Sequence, residues 1–191
     1  MSSDTEIQRL MNINYYGIIR VTNAVLPHMK KIKSGHIINI SSVCGLVGQP
    51  FNEIYCATKF AIEGYTEALS TYLTPFFNLK FTIIEPDEFD RLFTNGNVSE
   101  ILNSNVNSKN EYLEIIEKYV TSSKSILKDN EAVVQQSVNQ VAEVINYCIE
   151  TETPPLRIRT STRSEELCSL KTQADPNGLK SSKKVTSYFF N

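Results

Sequence analysis

Tyr55 and Lys59 stand four residues apart in a stretch, about Asn52 to Tyr72, that reads as a long helix, so a phenol and an ammonium share one helical face about one turn apart. The chemistry open to such a pair is proton transfer. In a chain with nine tyrosines the spacing by itself is also what chance supplies, as an ordinary surface pair. Two residues from elsewhere change its company. Ser42 ends the run His36-Ile-Ile-Asn-Ile-Ser-Ser42, short and β-branched enough to be a buried strand, and ligands of open α/β sheets bind outside the carboxyl ends of such strands. Its hydroxyl faces a site, unless it is only a strand-end cap. Asn14 sits between Met11 and Ile18 on an otherwise apolar helical stripe, where a buried carboxamide needs partners, in a site or in a helix-packing hydrogen bond.

Those four residues need elements to hold them. Ile7, Met11, Ile18, Val21 and Val25 make one stripe of a helix from Asp4 to about Ile32, with Asp4 or Thr5 as its N-cap, Glu6 in its first turn and a kink at Pro27. After the first strand comes a loop punctuated by Gly45, Gly48 and Pro50. The second helix follows, with small residues Ala57, Ala61 and Gly64 that permit close packing against another helix, and Pro75 ends it. Phe81–Pro86 reads as a second strand, and strands separated by a helix imply a right-handed crossover and a parallel sheet. The asparagine-rich text at 95–110 predicts a mobile excursion, with a short helix at Leu113, Ile116 and Val120. Val138, Val141, Ile145 and Ile149 predict a stronger helix, and Leu156–Thr160 a last strand. Residues 171–191 read as a solvated arm with an aromatic tip, Tyr188-Phe-Phe190.

Composition excludes several classes. Nineteen Lys plus Arg against 21 Asp plus Glu leave a net charge of −2, which argues against nucleic acid as a partner. No apolar stretch reaches the roughly 18 to 20 residues that span a bilayer, and no basic segment followed by an apolar one opens the chain, so the expected location is cytoplasmic. Cys44, Cys56, Cys148 and Cys168 show no metal-binding spacing, and with only His28 and His36 no metal site is expected. Cys44 and Cys56 flank the candidate site, but as small residues rather than nucleophiles, and the sequons at Asn39 and Asn97 are set aside. Glu85, Asp87, Glu88 and Asp90 read as a solvated acidic turn rather than a cation site.

In combination these residues resemble the short-chain dehydrogenases/reductases. The matching text is Asn14-Tyr-Tyr-Gly17, Ala24-Val-Leu-Pro-His-Met29, Ser34-Gly-His-Ile-Ile-Asn-Ile-Ser-Ser42, Tyr55-Cys-Ala-Thr-Lys59-Phe-Ala and Ile84-Glu-Pro86. Within that family the chain looks most like the retinol dehydrogenase and 17β-hydroxysteroid dehydrogenase branch, through Pro154-Pro-Leu-Arg157 and Asp175-Pro-Asn-Gly178. The resemblance implies an α/β fold, part of a Rossmann-like doubly wound parallel sheet: the C-terminal half, about three strands with long flanking helices. Residues 1–165 are assigned to that domain, and 166–191, where the text turns polar, to a C-terminal arm. The resemblance also implies a catalytic set Asn14, Ser42, Tyr55 and Lys59, with Tyr55 as general acid/base, Ser42 and Tyr55 on the substrate oxygen, and Tyr55, Lys59 and Pro86 at the cofactor, NAD or NADP. Bringing a phenol from pKa near 10 to near 7 takes roughly 4 kcal/mol of differential stabilisation; Lys59 and an oxidised nicotinamide are the expected sources. The implied substrate is small and apolar, like a steroid, a retinoid or another lipid. An apolar lid at Phe93, Leu102, Leu113 and Tyr119 suits it.

The family's glycine-rich phosphate turn does not occur in this text, whose seven glycines never fall as GxxxGxG or GxGxxG. At some 30 residues per βαβ unit, four strands and their helices correspond to roughly 100 further residues. The strand at 36–42 is then expected to be an edge, and Asp87 replaces the family's glycine. Two readings follow: an oxidoreductase that is part of, or completed into, a whole enzyme, and a truncated, inactive relative that partners a full-length family member. In either, helices 4–32 and 52–73 are the expected homo- or hetero-oligomer contact.

Overall fold

The structure, a computed structural model, describes residues 2–87, 112, 114–119, 121 and 136–190. The chain divides into two compact units, Met1–Asp87 with Asn139–Asn191, and Glu88–Val138. In the second unit residues 114–119 are helical, Ile116 is buried and Lys118 pairs with Glu114 across one turn at 2.7 Å. Leu113 and Val120 of the expected short helix, the stretch 95–110, and Phe93 and Leu102 of the expected lid lie outside the described residues. Among the described residues no helix is long and apolar enough to cross a membrane.

The first unit is α/β, with three parallel strands in the order β1-β2-β3: β1 is His36–Ile40, β2 Lys80–Glu85 and β3 Arg157–Arg159. The N-terminal helix runs as α1, Asp4–Met11, a π-helical turn at Asn12–Tyr16, and α2, Gly17–Ile32. Its N-cap is Ser3 rather than Asp4 or Thr5, because Ser3 and Glu6 form a reciprocal capping box. The expected apolar stripe also needs correction: Thr22 is buried while Val21 is 66% exposed. The π-turn inserts an extra residue, which rotates everything after Asn14 around the helix axis.

Helix α3, Glu53–Phe77, joins β1 to β2. It does not end at Pro75 as expected. Proline removes the N–H that would bond the carbonyl four residues back, that of Thr71. Here the Thr186 hydroxyl donates to that carbonyl at 2.7 Å. The Thr186 donor belongs to α6, Leu179–Phe190, which follows α4, Val138–Glu150, and α5, Thr162–Thr172. The expected solvated arm is thus largely helical. Ser70 and Ser182 lie 3.2 Å apart and Phe76 and Phe190 meet edge-to-face at 5.2 Å, while most of the helix, the tip residues Tyr188 and Phe189 above all, stays exposed. Asp175 caps α6 through the backbone N–H groups of Lys180 and Ser181, and Gly178 takes the left-handed φ of +74° against Leu156 and Arg157.

The main core fills the space between α2, α3 and the sheet: Ile37, Leu69, Leu73, Leu79, Phe81 and Leu156, with Val25, Leu26 and Met29 of α2 against them. Asn39 points to the same side, its amide donating to the Thr66 hydroxyl at 2.8 Å, so this sequon is a buried strand-to-helix tie. A second cluster, Val43, Leu46 and Cys168, sits between the turn after β1 and α5. All four cysteines are buried and no disulfide links them; burial pushes the Cys168 thiol up to about 11.

Candidate active site

Three of the four expected side chains meet where β1 ends and α3 begins, and the fourth joins them through one intermediary. Ser42 is extended and caps a short 3-10 turn, Val43–Gly45, its oxygen accepting the Cys44 N–H at 3.2 Å. That bond aims the hydroxyl. It donates at a long 3.4 Å to the Pro86 carbonyl and lies within hydrogen-bonding reach of the Tyr55 phenol. Tyr55 is in the first turn of α3, and Lys59, one turn on, lays its Nζ 5.5 Å from the Tyr55 ring centroid. The Ile40 carbonyl accepts from that ammonium at 3.0 Å, fixing it to the last residue of β1. Pro86 is buried, and its carbonyl also receives the Val43 N–H at 3.0 Å, so it ties β2 to the Ser42 turn.

Asn14 occupies the middle of the π-turn. Its amide donates to the Thr58 hydroxyl at 3.2 Å, and Thr58 in turn donates to the Tyr55 carbonyl at 2.7 Å. Asn14 is therefore joined to the helix turn that presents Tyr55 rather than to the phenol itself. Thr58, between Tyr55 and Lys59, was not singled out in the sequence; the signal was its position three residues after Tyr55, from which a threonine can bond back to the helix carbonyl.

Electrostatics runs against the expectation drawn for the pair. Burial pushes the Tyr55 phenol above its ordinary value, with the Ser42 hydroxyl opposing and the Cys44 and Cys56 thiols adding to the rise. Burial likewise pulls the Lys59 ammonium down, partly offset by Cys44 and Glu63. In this arrangement the phenol keeps its proton: desolvation is the largest influence on it, the Ser42 hydroxyl is what opposes the rise, and the lowering expected from Lys59 does not appear.

The acidic turn is the other correction. Glu85 and Asp87 are buried, not solvated: Glu85 meets Arg159 at 3.1 Å, and Asp87 lies 3.5 Å from Arg163. Their counter-charges come from β3 and α5, far along the chain. Glu88 and Asp90 lie outside the described residues, as does Asn97.

The sequence signature of the short chain dehydrogenases matches residues 1–99. The chain belongs to the short-chain dehydrogenase/reductase family. It is 36% identical to retinol dehydrogenase 8 of Bos taurus over 90% of its own length and 54% of that protein's. With 17-beta-hydroxysteroid dehydrogenase type 1 of Homo sapiens it shares 31% identity, over 90% of the chain and 51% of the relative. The chain thus spans about half the length of these curated relatives. The crystal structure of a short-chain dehydrogenase from Streptomyces avermitilis superposes on the whole chain and on 65% of its own, with a TM-score of 0.67 at 23% identity, a likeness of fold.

Proposed function

We propose that the chain carries the catalytic half of an NAD(P)-dependent oxidoreductase that interconverts a hydroxyl and a carbonyl on a small apolar substrate. The single observation that carries this reading is the convergence of Ser42, Tyr55 and Lys59 at one strand end, with Asn14 tied through Thr58 to the turn that bears Tyr55. Ser42 orients the substrate oxygen by giving up its long bond to Pro86. Tyr55 hands its proton to that oxygen when a carbonyl is reduced, or takes one back when an alcohol is oxidised. Lys59, anchored on Ile40, keeps N–H groups to spare for a ribose hydroxyl and places its charge beside the phenol. The nicotinamide, when bound, supplies or accepts the hydride.

The donor set fits the nicotinamide end of such a cofactor: an anchored ammonium, a half-buried phenol and a buried serine hydroxyl within reach of it. No glycine-rich turn in the 191 residues offers a phosphate cradle. In the resting chain Tyr55 is protonated, the form that donates to a carbonyl oxygen, whereas taking a proton from an alcohol needs the phenolate. The names of the relatives, retinol and 17β-hydroxysteroid dehydrogenases, support a retinoid or a steroid as the substrate class.

A second reading rests on a different observation. Ile13, Val21 and Phe60 are strongly exposed on the two long helices, and a Cβ added at Gly64 meets no atom within 4 Å. These faces suit association through helices 4–32 and 52–73 with a second copy or a longer relative, and the chain would then act as a partner rather than an enzyme. One experiment separates the two: mix the chain with NADH or NADPH and with retinaldehyde or a 17-keto steroid. The oxidoreductase reading expects loss of reduced-nicotinamide absorbance with at least one pair. No loss, together with a larger species in analytical ultracentrifugation, favours the partner reading.

A further inference from the structure

Behind the site lies a cluster of ionisable side chains that the proposed chemistry does not use. Glu63 of α3 and Glu85 of β2 are both buried, and their carboxyl groups lie within hydrogen-bonding reach of each other. Yet both oxygens of Glu63 and Oε1 of Glu85 have no hydrogen-bond partner. Two carboxylates facing each other offer acceptors only, and leaving them so inside the protein is costly. The buried Ser41 hydroxyl can serve one oxygen of Glu63, and a proton between the two carboxyl groups supplies the donor that is still missing.

The surrounding charges favour one proton, on Glu63. From β3, Arg159 donates to Glu85 at 3.1 Å and Arg157 lies 4.0 Å from its other oxygen. Both guanidinium groups also serve carboxylates that keep contact with water, Arg157 with Glu67 of α3 at 2.8 Å and Arg159 with Glu165 of α5 at 2.9 Å. The remaining titratable groups are Asp87 after β2, Cys168 of α5 and, one turn back on α3, Lys59, which is engaged by Ile40. Arg157 favours the Glu63 carboxylate from a distance, and Lys59 interacts with it from one turn back; burial and the Glu85 charge outweigh them and push the Glu63 carboxyl well above the usual range.

Position gives the pair a consequence. A Cβ at Gly45 would lie 2.5 Å from the Ser41 hydroxyl and 2.9 Å from Glu63 Oε1, so the Glu63 carboxyl is wedged into the turn that carries Ser42. We propose that Glu63 and Glu85 hold one proton in common, and that Glu63 is thereby a positioning residue, latching the Ser42 turn to the helix that presents Tyr55 and Lys59. The positioning half rests on the reading of those three residues given above, whereas the shared proton does not.

Infrared spectroscopy of the intact chain tests the proton without any variant. A protonated buried carboxyl absorption is expected at neutral pH, far above the ordinary carboxyl value of 4.5; its absence overturns the proposal. Glu63→Gln, which replaces the O–H donor by N–H, should remove that band and keep the fold. Since the native chain holds the proton and the unfolded chain releases it, wild-type stability falls as pH rises above 4.5 until the pair ionises. The urea midpoint of Glu63→Gln should fall less over the same range, and equal slopes overturn the proposal. For the latch, amide exchange of Val43 to Leu46 at a pH where the wild-type band has gone should be faster in the wild type than in Glu63→Gln; equal rates refute the latch. Absence of turnover, or turnover that survives Tyr55→Phe, would count against the enzymatic reading and leave the band untouched.

Discussion

The two halves of α3 do different work. From Glu53 to Glu63 the helix buries Ile62 but also carries the side chains of the candidate site, three of them with specific neighbours: Tyr55 near Ser42, Thr58 to Asn14, Lys59 to Ile40. From Tyr65 to Phe77 the helix is a packing element, with Leu69 and Leu73 in the main core and Ser70, Thr71 and Phe76 against α6. One continuous helix joins the halves, so the rigid half sets where the reactive half sits. Burial costs the first half something: it moves the Tyr55 and Lys59 pKa values in the unhelpful directions. In the second half the same burial only stabilises.

That contrast can be broken by substitutions that should act on one half alone. Leu73→Ala empties a core position only 2% exposed, and urea unfolding should show a loss of about 2 to 5 kcal/mol. Where the variant is still folded, turnover that depends on Tyr55 should be unchanged. Gly45→Ala pushes a methyl against Ser41 and Glu63 at the boundary between the halves, and should cost about 1 to 3 kcal/mol. Thr186→Val leaves the Thr71 carbonyl without its donor, a loss of about 1 kcal/mol. In a Pro75→Ala background the restored helix N–H should erase most of that loss, so a double-mutant cycle should return clear coupling.

The smallest expected effect is a pH dependence. The His36 ring lies 2.9 Å from the Thr82 hydroxyl, which itself donates to the Pro155 carbonyl, so the imidazole is the donor to Thr82. Burial, with Lys80 nearby, holds His36 below its ordinary 6.5. Its folded pKa is the lower one, so its contribution is complete above 6.5 and is lost as pH falls below that value. His36→Gln should flatten the acid limb of a stability profile measured by urea unfolding between about pH 7 and about pH 4.

The sequence made the reactive half legible because its signals are local: Tyr55 and Lys59 lie on one helix turn, and Ser42 ends an apolar strand whose type is plain from its β-branching. The parallel sheet followed from strand–helix–strand alternation. What stayed hidden depends on partners distant in sequence. Glu85 reads as a solvated carboxylate until the β2–β3 register sets it opposite Arg159. Pro75 reads as a helix stop until a threonine from α6 replaces the hydrogen bond it removes. The π-turn at Asn12–Tyr16 has no signature in hydrophobic spacing, and it displaced the buried stripe of α2 by its extra residue.

Turnover of Tyr55→Phe beside the wild-type chain is the most direct measurement, with reduced nicotinamide and a retinoid or steroid carbonyl as substrates. Removing one phenol oxygen leaves Leu69, Leu73 and the rest of the core intact, so unfolding midpoints should coincide while the rate falls by about 100-fold to 10,000-fold. Equal rates for the two proteins, at equal stability, would contradict the assignment of the proton to Tyr55.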